Sequence, residues 1–313
     1  MKNLVKAKPV FDLEKALAAH RADKHILKHA KLQFIGVSGY DVYNISQSFI
    51  WEGTTYLAGR VEKRGSEISS VRIFERIAQH SYKATKHELP MLQDPSVQIM
   101  DGLLLIGGTE IYPNEQGQIT SWRTVFYQGK DFDHLTKVLS APLKMKDVRV
   151  IHADQYYVMS RPQGGVAKFG KIGLASANKL SDITPELIEK APLLDDLFTD
   201  KVWGGANQIH LLKNGWLGVL GHVAIMSEGD VRHYYGMTFA VNPLTHERTE
   251  LKIICERSDF APGETKRLDL VDVVFVGGLN RHVNGEATLY TGLSDAEAHV
   301  MLLEDPFLEY EKK

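Results

Sequence analysis

Residues 206–224 read ANQIHLLKNGWLGVLGHVA, two runs of strand formers on either side of Asn214-Gly215. An Asn-Gly pair supplies the positive φ angles of a two-residue hairpin turn, so the stretch is predicted to fold back on itself with His222 on the return strand. Four other stretches follow the same plan: YDVYNISQSFIWEGTTYLAGRVE (40–62), QDPSVQIMDGLLLIGGTEI (93–111), KDVRVIHADQYYVMSRPQ (146–163) and VDVVFVGGLNRHVNGEATLYTGLS (271–294). Each carries Asp or Asn at its second position, runs through a strand, turns and returns. Asp101-Gly102 and Asn284-Gly285 are further hairpin dipeptides.

The leading polar residues are Asp41, Asp94, Asp147, Asn207 and Asp272, separated by 53, 53, 60 and 65 residues. Repeats of that size hold about four strands each and suggest blades. A lone hairpin cannot bury both faces, whereas a ring of small sheets buries blade against blade. The fold expected is therefore all-β: a five-bladed β-propeller with short peripheral helices, a single domain over 1–313 with about 1–35 peripheral. Two β-sandwiches are the alternative, but no linker-like stretch divides the chain.

Helical periodicity is confined to residues 12–30, DLEKALAAHRADKHILKHA, and 181–191, SDITPELIEKA. In the latter Thr184 is a candidate N-cap, Pro185 occupies the first helical position and Glu186 suits the helix dipole. On a helix His25 and His29 would share one face at zinc-binding spacing, but no third ligand lies nearby, so no metal site is predicted.

Lys plus Arg number 37 and Asp plus Glu 39, giving a formal net charge of −2. That balance offers no general attraction to nucleic acid or anionic lipid, so an anion site must be local. The single cysteine, Cys255, has no partner for an internal disulfide and is expected to be an inert packed thiol. The start, MKNLVKAKPVF, lacks the apolar run of a signal peptide, and no stretch is long and apolar enough to span a membrane. The expected location is the cytoplasm.

In a propeller the first strand of each blade lies nearest the axis, so the five leading residues converge on one mouth of the funnel. Glycoside cleavage requires a proton donor to the leaving oxygen and a second group across the ring. Asp94, Asp147, Asp41 and Asp272 are therefore the candidate catalytic carboxylates. Arg60, Glu62, Glu110, Arg149, Arg161, Lys201, Asn207 and His222 fall on strand exits or loops of the same edge and are candidate ligands for substrate or phosphate. Arginine would grip an anion with a planar fork and lysine with a compact charge. Trp203 and Tyr234 are candidate surfaces for stacking on a sugar. Each also has a structural reading: Asp and Asn at strand ends bond local backbone, and strand aromatics pack between sheets.

QDPSVQIMDGLLLIGG, DQYYVMSRP and DKVWGGANQIHLLKNGWLGVLGH together resemble glycoside hydrolase family 130, five-bladed enzymes that include β-mannoside phosphorylases and hydrolases. The resemblance implies that Asp94 is the acid and that Arg161, Lys201 and His222 hold phosphate, with His222 donating a hydrogen bond. YLAGRVE, SRPQGG, HLLKNG and DVVFVGGLNR resemble, across nearly the whole chain, the bacterial domain-of-unknown-function family 1861. Ser96 stands where the family-130 signature has arginine, removing a cation beside the proposed acid, and Asn207-Gln208 offers no acid in the fourth repeat. The expected function is cleavage of a glycosidic bond, by phosphorolysis or hydrolysis, on a small oligosaccharide or sugar phosphate. Inorganic phosphate enters as a co-substrate, no other cofactor is implied, and a divalent cation among the aspartates stays open. The alternative is a propeller that binds sugar without turnover, or that binds protein.

Overall fold

The structure, a computed structural model, describes residues 11–194 and 197–312; the lysine-bearing start at 1–10 lies outside them. Among the described residues the chain is mostly β, with two α-helices, and its strands form largely antiparallel sets that follow one another in chain order, the last two joined by a short parallel pairing at His233–Tyr234 and Asp272–Val273. The first set is built from Asp41–Tyr43, Thr54–Glu62, Ser69–Ala78 and Ser81–Pro90, and the second from Leu92–Met100, Leu103–Pro113, Ile119–Gly129 and Thr136–Ser140. The third has three strands, Arg149–His152, Tyr156–Ser160 and Gly173–Ala177. The fourth comprises Trp203–Leu211, Leu217–Met226, Arg232–Val241 and Lys252–Cys255. Asp272–Arg281, Glu286–Leu293 and Glu297–Glu304 make the fifth, whose outer strand is Ile26–Lys31 from the other end of the chain.

Alternation along the strands explains how these sets stack. Successive side chains point to opposite faces, so Leu105 joins one core cluster while Leu104 and Ile106 join another. In the fourth set Val219 and Leu220 divide in the same way. Each apolar cluster bridges two neighbouring sets: first to second around Val71 and Val97, second to third around Phe126 and Val158, third to fourth around Met159 and Phe239, fourth to fifth around Leu220 and Val274. A further cluster, with Leu57 and Phe74 against Tyr290 and Ala298, packs the fifth set on the first and closes the ring.

Side-chain to backbone bonds tie the inner strands together. Gln47 Nε2 donates to the Val97 carbonyl at 2.6 Å, Arg149 Nε to the Asn207 carbonyl at 2.6 Å, and the Leu279 N–H to Gln208 Oε1 at 2.6 Å. The Val148 N–H donates to Thr124 Oγ1 at 3.3 Å between second and third sets, and Asn280 Nδ2 completes the circuit with a 2.9 Å bond to the Ser48 carbonyl. The approach of fifth set to first is so close that a Cβ at position 277 would lie 1.6 Å from the Ile45 carbonyl oxygen. Only glycine fits there.

Three expectations are corrected. Residues 12–30 are not one helix: Leu13–Ala22 is helical, capped by Asp12, and Ile26–Lys31 is a strand that supplies the fifth set's outer edge. His25 and His29 therefore share no helical face; His25 bonds Glu304 at 2.9 Å and His29 packs on Phe260. Asp101-Gly102 does form a two-residue turn, with φ of +51° and +74°. Asn214-Gly215 and Asn284-Gly285 instead sit in longer loops in which only the glycine has positive φ, closed by Leu212 N–H to Trp216 O and His282 N–H to Glu286 O. That is the pattern of a type I turn followed by a left-handed residue. The second helix is the short one expected, Pro185–Glu189, with the Thr184 hydroxyl accepting from the Leu187 N–H.

The register of the repeats also shifts. Asp94, Asn207 and Gly277 all fall where the first strand of a set bulges, and Asp147 lies two residues before the first strand of the third set. In the first set the corresponding left-handed residue is Asn44, φ +45°, beside Asp94 at +50° and Asp147 at +59°. Aligning the repeats on Asp41 and Asp272 therefore places the first three residues too early and the fifth five too early.

Candidate active site

A cavity of about 530 Å³ opens at the axis and takes lining from every set. Asn44 and Arg60 come from the first, Asp94, Thr109, Ile111 and Trp122 from the second, and Lys146, Asp147 and Gln163 from the third. His222, Arg232 and Tyr234 belong to the fourth set and Val273, Phe275 and Asp295 to the fifth. Five residues that sequence reasoning selected line it: Arg60, Asp94, Asp147, His222 and Tyr234.

Asp94 is buried at the bulge, its left-handed backbone turning the carboxylate toward the axis. Oδ1 accepts from Asn44 Nδ2 at 2.8 Å and from Arg60 Nη1 at 3.3 Å. Oδ2 has no hydrogen-bond partner among the described residues. Arg60 is itself held by Glu62 through Nη2 at 2.6 Å and Nε at 3.2 Å, over the Tyr43 ring. Behind it Glu62 also accepts from Tyr43 and is paired with buried Lys266.

Asp147, which also lines the cavity, is buried and pairs with Arg161 Nε at 3.5 Å. Burial alone would raise its pKa, but the charges of Lys146 and Arg161 outweigh burial and hold the carboxyl at about 2. Burial drives Asp295 the opposite way: with Asp94 adding to the effect, its carboxyl is raised above the ordinary aspartate value. One cavity thus holds an aspartate kept ionised and another pushed toward its neutral form, the separation that acid–base chemistry requires.

His222 is buried, stacks on Tyr234 at 5.4 Å and bonds Asn207 Oδ1 through Nδ1 at 2.8 Å. Burial, with the nearby cations Arg161 and Lys146, lowers its pKa to about 3. With Asn207 Oδ1 facing the ring, a neutral imidazole carries its proton on Nδ1 and leaves Nε2 an acceptor. His210, half-buried against Phe307, is likewise held at about 3 by desolvation of its ring and by Arg281. Both imidazoles are protonated in the unfolded chain below about pH 6.5 but stay neutral when folded. Stability is therefore full above pH 6.5 and falls toward pH 3, each ring contributing about 1.4 kcal/mol per pH unit. Denaturant unfolding of His210→Gln between pH 6 and 4 should show a slope lower by about that amount; an unchanged slope would count against the neutral ring.

The remaining candidates fall elsewhere. Asp41 is taken up by Arg64, and Asp272 by His233 at 2.6 Å; neither reaches the cavity. Glu110 pairs with Lys137 and Arg123 on the outer face of its strand, and Glu62 stands behind Arg60. Lys201 is exposed and off the cavity. Lys146, adjacent to Asp147 in sequence, lines the cavity without a carboxylate hydrogen bond among the described residues. Arg149, Arg161 and Asn207 form a buried layer against the wall: Arg149 bonds the Asn207 carbonyl, and Arg161 Nε the Gly204 carbonyl at 3.0 Å. Arg161 Nη1 and Asn207 Nδ2 are buried donors with no acceptor among the described residues. Trp203 is packed away, its Nε1 donating to Tyr234 Oη at 3.4 Å.

Sequence reasoning missed Asn44, Lys146 and Asp295. Lys146 was visible one residue before Asp147, and Asn44 three after Asp41. Among the described residues the cluster of metal-type ligands is His20, Glu256 and Asp259, away from the cavity, its carboxylates engaged by Arg21 and Lys24. Among those residues no helix is long and apolar enough to cross a membrane.

Comparison with known proteins follows the same lines. A mannose phosphorylase from Leishmania mexicana, solved with a phosphate ion, is 33% identical and superposes with a TM-score of 0.88 over 94% of this chain and 93% of that one. A GDP-Man-dependent mannosyltransferase from the same organism is 28% identical, with a TM-score of 0.86 over 95% of each chain. A β-1,2-mannobiose phosphorylase from Listeria innocua shares the fold at 16% identity, with a TM-score of 0.60 over 88% of this chain and 93% of that one. Comparison with curated proteins gives no match. The sequence profile of the protein of unknown function family DUF1861 matches residues 18–309, a span that takes in every strand set, and the chain belongs to that family.

Proposed function

We propose that the chain is a five-bladed β-propeller, one domain over its length, that transfers a mannosyl group between a glycoside and inorganic phosphate in the axial cavity. The observation that carries this reading is the pairing of two unlike aspartates in one cavity. Asp94 presents an oxygen without a hydrogen-bond partner among the described residues, and an ionised Asp147 lies beside Lys146 and Arg161, with the orphaned donors of Arg161 and Asn207 buried in the wall behind the cavity. Buried donors without acceptors are rare in folded proteins and suit an anion. The 33% identical mannose phosphorylase, which holds phosphate, supports the same choice of co-substrate.

Asp94 donates its proton to the leaving oxygen, and phosphate attacks the anomeric carbon from the side of Lys146. Asp147 and Asp295 orient sugar hydroxyls, Asp147 as an acceptor only and Asp295 as a donor when protonated. His222 Nε2 accepts a P–OH proton, so the site takes a protonated phosphate. The test is incubation of the purified protein with manno-oligosaccharides with and without phosphate. Mannose 1-phosphate formed only with phosphate supports the reading. Free mannose alone means hydrolysis, and binding without either product means a sugar-binding propeller; each would overturn it.

A further inference from the structure

Asp94 receives two donors on one oxygen. Asn44 Nδ2 and Arg60 Nη1 both reach Oδ1, at 2.8 and 3.3 Å, whereas Oδ2 meets no donor among the described residues. A proton on Oδ1 would collide with two N–H groups already pointing at its lone pairs. The carboxyl therefore carries its proton on Oδ2, the oxygen that is free to meet a ligand in the cavity.

We infer that Arg60, with Asn44, is a positioning residue that fixes which oxygen of Asp94 delivers the proton; the inference rests on the proposed function. Arg60 is suited to the task because it cannot move. Its guanidinium is buried, two of its nitrogens are held by Glu62, and its face lies 4.9 Å from the centre of the Tyr43 ring. Glu62 is locked in turn by the Tyr43 hydroxyl at 2.8 Å and by Lys266, whose side chain is itself buried. The carboxylate–guanidinium–carboxylate row, Glu62 to Arg60 to Asp94, leaves a single Arg60 nitrogen, Nη1, for Asp94. A fork held by one partner and aimed at another is the geometry that lysine, with a single charged atom, cannot reproduce.

In the reaction the proton leaves Asp94 Oδ2 for the glycosidic oxygen, and the C1–O bond breaks with its electron pair passing to that oxygen. A phosphate oxygen bonds to C1. Asp94 is left as a carboxylate, its charge met by Arg60 and Asn44 at Oδ1. Arg60 touches neither sugar nor phosphate in this step; it acts through Asp94.

Leaving-group dependence tests the role. With an unactivated manno-oligosaccharide, Arg60→Gln and Asn44→Ala should each lower kcat by about 10–100-fold, the scale of losing a hydrogen bond to a charged group, with the KM for phosphate unchanged. With a dinitrophenyl mannoside, whose leaving group needs no proton, both variants should approach wild-type turnover. Arg60→Lys should behave as Arg60→Gln, because it keeps charge and loses the fork. Equal losses with both leaving groups would mean that Arg60 only supports the fold, and no loss with either would remove it from the mechanism. Should the wild type itself fail to turn over any mannoside, the proposed function fails first. Asn44→Ala keeps the test decisive if burial of an unpaired Glu62 unfolds the Arg60 variants.

Discussion

Asp94→Asn is expected to lower phosphorolysis of an unactivated manno-oligosaccharide by about 10²–10⁴-fold, the range that positioned acid catalysis provides. The substitution is close to isosteric, so the folded ring should persist and the effect should fall on turnover. An amide can still occupy the left-handed backbone position, since asparagine tolerates that conformation as well as aspartate does. It can no longer give up a proton. Sugar and phosphate binding, measured calorimetrically, should change little. An Asp94→Asn protein retaining more than about a tenth of wild-type turnover would assign the proton to another group. Asp295 would be the first alternative, because burial raises its pKa in the same cavity.

The second large effect is expected at Lys146. Removing its ammonium with Lys146→Met takes away the one cavity-lining cation that lacks a carboxylate hydrogen bond among the described residues; Arg60, Arg232 and Arg267 are all paired. A charge-assisted hydrogen bond to phosphate is worth about 1.5–3 kcal/mol, so the KM for phosphate should rise roughly 10–100-fold. Turnover at saturating phosphate should fall less, because Lys146 binds the nucleophile and transfers no proton. Lys201→Met is the contrast. Its side chain is exposed and away from the cavity, and kinetics with phosphate should be unaltered. An effect at Lys201 equal to that at Lys146 would return phosphate to the segment that sequence resemblance picked.

These two residues also show what could and could not be read before the fold was known. Period-two alternation and the Asp101-Gly102 turn carried the strand pairs, because local backbone chemistry decides them. Register between repeats did not follow from spacing, since a bulge adds a residue without leaving a mark in the apolar pattern. Asp94, Asp147 and Asn207 were aligned correctly because their strands begin alike. Asp41 and Asp272 were not, as the true counterparts are Asn44 and a glycine forced by the Ile45 carbonyl.

Partners across sets were least legible. Ser96, read as a missing cation beside Asp94, is compensated by Arg60 from the neighbouring set, thirty-four residues before Asp94. No sequence spacing announces that contact. Residues 26–31 show the reverse error: a segment with helical periodicity becomes a strand because the fifth set has an open edge on which it pairs with Glu297–Glu304. Tertiary pairing there overrides a weak local preference.

The most direct measurement is a crystal structure of the Asp94→Asn protein with a manno-oligosaccharide and inorganic phosphate. The account predicts the glycosidic oxygen within hydrogen-bond reach of the residue-94 side chain, on the atom not bonded by Arg60 and Asn44, and phosphate against Lys146 on the opposite side of the mannosyl ring. Sugar bound outside the axial cavity, or phosphate and residue 94 on the same face of the ring, would contradict it.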